Sequence, residues 1–291
     1  MSAEPSSEPS PVAAVAAAPP PWIENRPTEG WLPLLDLREL WAYRELAMAF
    51  ALRTLRVRYK QTFFGVSWAV LQPVLAVVVF SVVFGRLAGL PTDGLPYPIF
   101  NYAAMIVWIY VSTGVIATAG SLVENRELVQ KVYFPRLVAP VSAAVPGLVD
   151  FAIAFVVLLV LMAVYGVSPD WAFVLTPAWV AGAAAVILSL GVPLSALNVK
   201  YRDVRQVLPL LVQIWLFASP VVYSSSLVPS EWQYAYALNP MVTVLNGFRW
   251  SVASGPAPGP ESFVSLAVVV ALLVFGLAYF RRSERAFADV V

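Results

Sequence analysis

Sixteen of the eighteen Lys and Arg residues fall in alternate connections between six long apolar stretches, and that arrangement leaves few folds open. The stretches cover roughly 66–84, 99–119, 138–165, 172–197, 207–223 and 263–280. Arg26, Arg38, Arg44, Arg53, Arg56, Arg58 and Lys60 precede the first. Arg126, Lys131 and Arg136 lie between the second and third, and Lys200, Arg202 and Arg205 between the fourth and fifth. Arg281, Arg282 and Arg285 follow the sixth, while the intervening connections hold only Arg86 and Arg249. Cytoplasmic loops keep basic residues because these are poorly translocated. The pattern predicts six crossings with both termini inside the cell. The stretch 263–280 would give about 27 Å of helix, close to a bilayer core of about 30 Å.

Residue chemistry narrows the function classes. The chain is 60% hydrophobic and 12% charged, outside the range of water-soluble domains. Net charge is +1, so no global field points to nucleic acid. Cysteine and histidine are both absent. That removes thiolate metal sites, disulfides, the commonest general base and every Ser–His or Cys–His nucleophilic pair; no metal site and no catalytic residue are expected.

The first 30 residues are Pro-, Ala- and Ser-rich and read as a disordered cytoplasmic tail. Val12–Ala18 lacks the basic flank of a signal peptide, and Pro19-Pro20-Pro21 ends it. Residues 31–65 hold a different pattern. Leu37, Leu40, Trp41, Met48, Ala51, Leu52 and Leu55 recur at helical spacing after Asp36, a candidate N-cap, and Arg53, Arg56 and Lys60 stripe another face. Such a helix lies in the headgroup layer. An ordinary juxtamembrane basic segment and a docking face for a cytoplasmic partner both fit it.

Gly85, Gly120 and Gly166 each follow an apolar run, where a left-handed C′ residue is expected. After Gly120, Ser121-x-x-Glu124 has the form of a capping box, predicting a short polar helix in 121–134 ended by Pro135. A solvated loop is the alternative. Asp150 lies well inside an apolar stretch, where a carboxylate costs about 3 kcal/mol to insert and must face protein or water. It either lines a pathway or packs through hydrogen bonds. Prolines 73, 140, 146, 177, 193, 209 and 220 bend or start helices. Residues 224–255 read as two short helices dipping back into the outer leaflet. Trp232 lies in the first; Asn239-Pro240 caps the second, which carries Phe248. Trp68, Phe80, Phe84, Trp215 and Phe217 either form an interfacial belt or offer stacking faces for sugar rings. The predicted fold is an all-α integral membrane protein. It has six transmembrane helices, an amphipathic interface helix before them, a re-entrant helical pair before the last span and a short tail at 281–291.

RYKQTFFGVSWAVLQP at 58–73, ENRELVQKVYFPR at 124–136, NVKYRDV at 198–204 and NPM at 239–241 occur in that order on this six-span pattern. Together they resemble the ABC-2 type permeases, above all the subfamily exporting O-antigen, capsule, galactan and teichoic acid. The resemblance runs from about Asp36 to the C terminus. It implies a homodimeric pore in the bacterial inner membrane, bound to two cytoplasmic ABC ATPase subunits and moving a lipid-linked polysaccharide. ATP and Mg would sit on the partner ATPase, since this chain has no Gly-Lys pair and hence no phosphate loop of the G-x-x-x-x-G-K-[ST] form. By the same resemblance, Glu124, Arg126, Glu127 and Lys131 would couple to the ATPase. Trp232, Asn239, Pro240 and Phe248 would belong to an external gate, and the aromatic residues of the first and fifth spans would line the conduit. Charge and depth assign Arg58 and Lys60 to the pyrophosphate of the entering lipid-linked glycan.

An ABC-2 exporter of drugs or lipids shares this architecture. An ion-coupled carrier would show intramembrane charge pairs and internal repeats, which the sequence lacks. A membrane-embedded transferase would need clustered carboxylates or a histidine at the membrane face.

Overall fold

The first described helices pack on the bundle along one side and stay open along the other. The computed structural model describes residues 37–60, 67–131, 134–201 and 203–284, and every regular element among them is helical. The Pro-rich tail, the Asp36 cap, residues 61–66, Arg202 and residues 285–291 lie outside the described residues. Helix α1 (Leu37–Ala42) breaks at Tyr43, and α2 (Arg44–Lys60) follows. Ala51 is buried, and Phe50 packs edge-on against Phe134 at 5.7 Å. Trp41, Met48 and Leu52 are exposed, as are Arg53 and Arg56. One side of α2 therefore packs on protein, and apolar and cationic groups share its open surface.

Five helical runs are long and apolar enough to cross a membrane: Ser67–Leu87, Tyr97–Glu124, Val138–Tyr165, Trp171–Lys200 and Ser262–Glu284. The first comprises α3 (Ser67–Phe80) and a π-helical continuation, Ser81–Leu87. Helix α4 (Tyr97–Glu124) is the axis of the bundle, buried along most of its 28 residues. After α5 (Arg126–Lys131), the third run divides at Val145 into α6 (Val138–Ala144) and α7 (Pro146–Tyr165). Pro146 suits a fresh helix start because it has no amide hydrogen to leave unpaired there. The fourth run is a 3₁₀ turn, Trp171–Leu175, leading into α8 (Thr176–Lys200). Short helix α9 (Val204–Ala218), α10 (Gln233–Tyr236), α11 (Pro240–Ala253) and α12 (Ser262–Glu284) complete the chain.

Lipid tails are as apolar as leucine, so these helices associate through close packing and hydrogen bonds rather than escape from water. Helices α4 and α8 show how. A Cβ on Gly114 would stand 2.5 Å from Ile187 Cδ1, and one on Gly191 would stand 2.6 Å from Thr118 Cβ. Glycine alone permits that approach. Asn198 Nδ2 then donates to the Ala119 carbonyl at 3.0 Å, fixing the register. Around this pair, Tyr102, Val111, Leu158, Leu245 and Phe248 form the main core. A smaller cluster of Leu122, Leu137, Val192 and Phe280 receives Leu40 and Phe50 from the interface helices.

Several sequence expectations change here. The stretch 207–223 yields the 15-residue α9, about 22 Å long and short of a bilayer core of about 30 Å. It ends at Ser219 because Pro220 disfavours helical backbone in the residue before it. Gly85 and Gly120 terminate nothing: the π-helical continuation of α3 runs through Gly85 to Leu87, and α4 passes Gly120 to Glu124. Ser121 caps no new helix, since its hydroxyl donates back to the Thr118 carbonyl at 2.7 Å. The break falls instead at Asn125, whose Nδ2 donates to the Ser121 carbonyl at 2.8 Å. Gly166 does behave as expected, with φ 69° and its amide directed at the last carbonyls of α7.

Candidate functional site

Three polar features mark the apolar bundle, and two of them join residues from different helices. At the first, the end of α2 meets α7. Arg58 forms an ion pair with Asp150, and the Tyr59 hydroxyl donates to the other carboxylate oxygen. Asp150 is thus no isolated intramembrane carboxylate; its partners arrive from the interface helix. Burial, and next the hydrogen bond to Asp150, push the Tyr59 phenol up to about 12, so it remains a donor. These three residues line a cavity of 230 Å³ with Trp68, Gln72 and Thr113. Its walls combine the Arg58–Asp150 ion pair, hydroxyls and an amide with apolar Ile106 and Phe151, a mixture suited to an amphipathic group. Lys60 is exposed at the end of α2 and does not line it, so Arg58 and Lys60 are not gathered into one site.

The second junction lies between α4 and α6. Glu124, Arg126, Glu127 and Lys131 are all exposed on one short projection. Glu127 and Lys131 pair at 3.8 Å across one turn of α5. A pair this exposed contributes at most about 0.5 kcal/mol, so it does little to hold the fold. The segment presents alternating charge on its exposed surface.

The third junction ties α9 to α11. Asn239 caps α11 by accepting from the Met241 amide at 3.1 Å and accepts from Trp215 Nε1 at 3.0 Å. Its Nδ2 reaches the Ala218 carbonyl and Ser219 Oγ, both at 3.0 Å. One side chain therefore satisfies a helix start and the end of its neighbour. Pro240 is buried at the first turn, and Trp232 is exposed. Phe248 is fully buried, with edge-on contacts to Phe151 at 5.8 Å and Phe155 at 6.2 Å, and so belongs to the core.

The five candidate stacking residues do not share one wall within the chain. Phe80 and Phe84 pair at 5.7 Å. Trp215 packs on Trp108 at 5.3 Å, Phe217 is exposed, and Trp68 belongs to the first cavity. Arg249 is a further site residue that sequence periodicity did not single out. It is 3% exposed on the inner face of α11. Its guanidinium donates to the Phe100 carbonyl at 3.0 Å and the Val221 carbonyl at 2.7 Å, and stacks 3.7 Å from the Phe100 ring centre. The only hint in the sequence was an arginine on the side where basic residues are otherwise scarce.

The sequence profile of the family described as ABC-2 type transporter matches residues 45–252, from the interface helix to the end of α11. The O-antigen export system permease protein RfbA of Myxococcus xanthus is 32% identical over 252 residues, covering 86% of this chain and 96% of that protein. The RfbA permease of Klebsiella pneumoniae is 23% identical, with 85% and 95% covered. The polysialic acid transport protein KpsM of Escherichia coli is 24% identical, with 82% and 93% covered. Multi-pass helical architecture and the matched profile agree: this chain belongs to the ABC-2 type transporter family.

Proposed function

We propose that the chain is the permease subunit of an ATP-driven exporter that carries a lipid-linked cell-surface polysaccharide across the plasma membrane. The observation that carries this reading is its 32% identity to an O-antigen export permease along nearly the whole of that protein. Two copies would enclose the conduit, and two separate ATPase subunits would supply the work, holding ATP and Mg themselves. The exposed apolar faces of α3, with Leu75, Val78 and Val79, and of α9, with Leu210 and Ile214, support a second copy or lipid against those helices.

Glu124, Arg126, Glu127 and Lys131 would receive the push of the ATPase, from the side on which both termini lie. Arg58, held by Asp150, would meet the pyrophosphate of the incoming glycan at the α2–α7 cavity, with Lys60 attracting it at longer range. Helices α9 and α11, latched by Asn239, would move as a unit at the exit. Deleting the gene should remove the polysaccharide from the cell surface while its lipid-linked precursor accumulates inside, and a plasmid copy should restore it. Unchanged surface polysaccharide in the deletion strain would end this reading.

A further inference from the structure

Arg249 lines a second cavity, which meets α4 at Phe100 near its start, whereas the α2–α7 cavity meets α4 at Ile106 to Thr113 near its middle. The Arg249 cavity measures 190 Å³. That is more than ten times the roughly 15 Å³ that admits a single water, so one bridging water does not account for it. Two of the three guanidinium nitrogens are held by the Phe100 and Val221 carbonyls. The third, Nη1, is buried and has no hydrogen-bond partner. A cation with a free donor in a desolvated place is costly unless something arrives to accept from it.

The lining indicates what arrives. Asp93, Ser226, Gln233, Asn246 and Glu261 share the cavity with Arg249. Asp93 is fixed in place by the hydroxyls of Ser224 and Ser226, the second at 2.9 Å. Two carboxylates would repel phosphate or any other anion, and the buried arginine would repel a cation. A neutral ligand bearing several hydroxyls satisfies both kinds of group, because each hydroxyl both donates and accepts. Leu95, Pro256 and Pro258 supply apolar walls for the C–H faces of a ring.

We propose that this cavity is a sugar-binding subsite that takes one neutral pyranose unit, with Arg249 Nη1 donating to it and Asp93 and Glu261 accepting from it. The inference rests on the polysaccharide-export reading and gives the exit side of that path a place to hold the chain between strokes of the ATPase. Its residues come from the loop before α4, the segment between α9 and α10, α11 and the loop before α12, so occupancy would also join the parts that must separate for export.

The test is saturation-transfer NMR on the full-length protein in lipid nanodiscs, with galactose, mannose, rhamnose and N-acetylglucosamine as probes and inorganic phosphate as the anionic control. At least one sugar should receive saturation, and phosphate should not compete with it. Ala257→Trp, at an exposed position on the cavity rim, should weaken that binding at least tenfold without touching a structural contact. Arg249→Lys, which keeps the charge and loses the fork, should weaken it by about tenfold. No sugar signal in the unaltered protein, equal binding by Ala257→Trp, or displacement of the sugar by phosphate would overturn the subsite. Absence of sugar binding in a protein whose deletion still strips the surface polysaccharide sinks the subsite alone. Sugar binding by a protein whose deletion leaves that polysaccharide intact supports the subsite and removes the export reading.

Discussion

Arg58 and Arg249 face the same problem in two separate cavities and meet it differently. Arg58 is two-fifths exposed and is neutralised by a carboxylate on another helix. Arg249 is almost wholly buried and relies on two backbone carbonyls and an aromatic face. Burial pulls its guanidinium down to about 9, with the charge of Asp93 acting against that pull, so it is still a cation at neutral pH. An ion pair open to water can exchange partners at little cost, which suits a place where charged headgroups enter. Carbonyls of fixed backbone cannot rotate away, which suits a residue that holds three segments together.

This contrast is open to attack by substitution. Arg249→Met should have the largest effect, because it leaves the Phe100 and Val221 carbonyls without their donor in a buried place. A loss of about 3 kcal/mol is expected, read as a depressed Tm of the detergent-solubilised protein. Wild-type stability in that variant would mean that Arg249 has no structural share and acts only in binding. Asn239→Ala comes next, at about 2 kcal/mol, since it deletes a helix cap and orphans the Trp215 indole. Hydrogen exchange should report the opening at α9 and the start of α11 while α4 stays protected. Asp150→Asn should cost no more than about 1 kcal/mol, as expected for a partly exposed pair. Its export defect should nonetheless be large, and a large stability loss would show that the two arginines are alike after all. Smallest of all is the exchange Glu127→Lys with Lys131→Glu. The exposed pair survives in reversed order, so Tm should move by no more than about 0.5 kcal/mol equivalent. Any grip by a charged partner is reversed, however, and surface polysaccharide should fall at least tenfold with normal membrane insertion.

The two sites also differ in how far they could be read from sequence. Hydropathy and loop charge marked out the long helices, and Asn239-Pro240 announced a cap because the chemistry is local: an amide oxygen two residues before the amide it accepts. Gly166 was legible for the same reason. Gly120 misled because glycine is tolerated inside a helix, and in a membrane it is favoured there for packing. The α9 span was overestimated because Val221 and Val222 are apolar yet lie beyond Ser219, packed in the core as turns. Asp150 appeared unpartnered because Arg58 is 92 residues away, and periodicity within one helix does not reveal contacts between helices. Arg249 was hidden more deeply, since its carbonyl partners carry no side-chain signature at all.

The central claim is that this polypeptide supplies a conduit and a separate ATPase supplies the work. Its most direct test is transfer of the lipid-linked glycan into the lumen of vesicles holding the purified chain. Transfer should require both the partner ATPase and Mg·ATP, and vesicles with the chain alone should stay empty. Sustained, concentrative transfer by the chain alone would contradict the account.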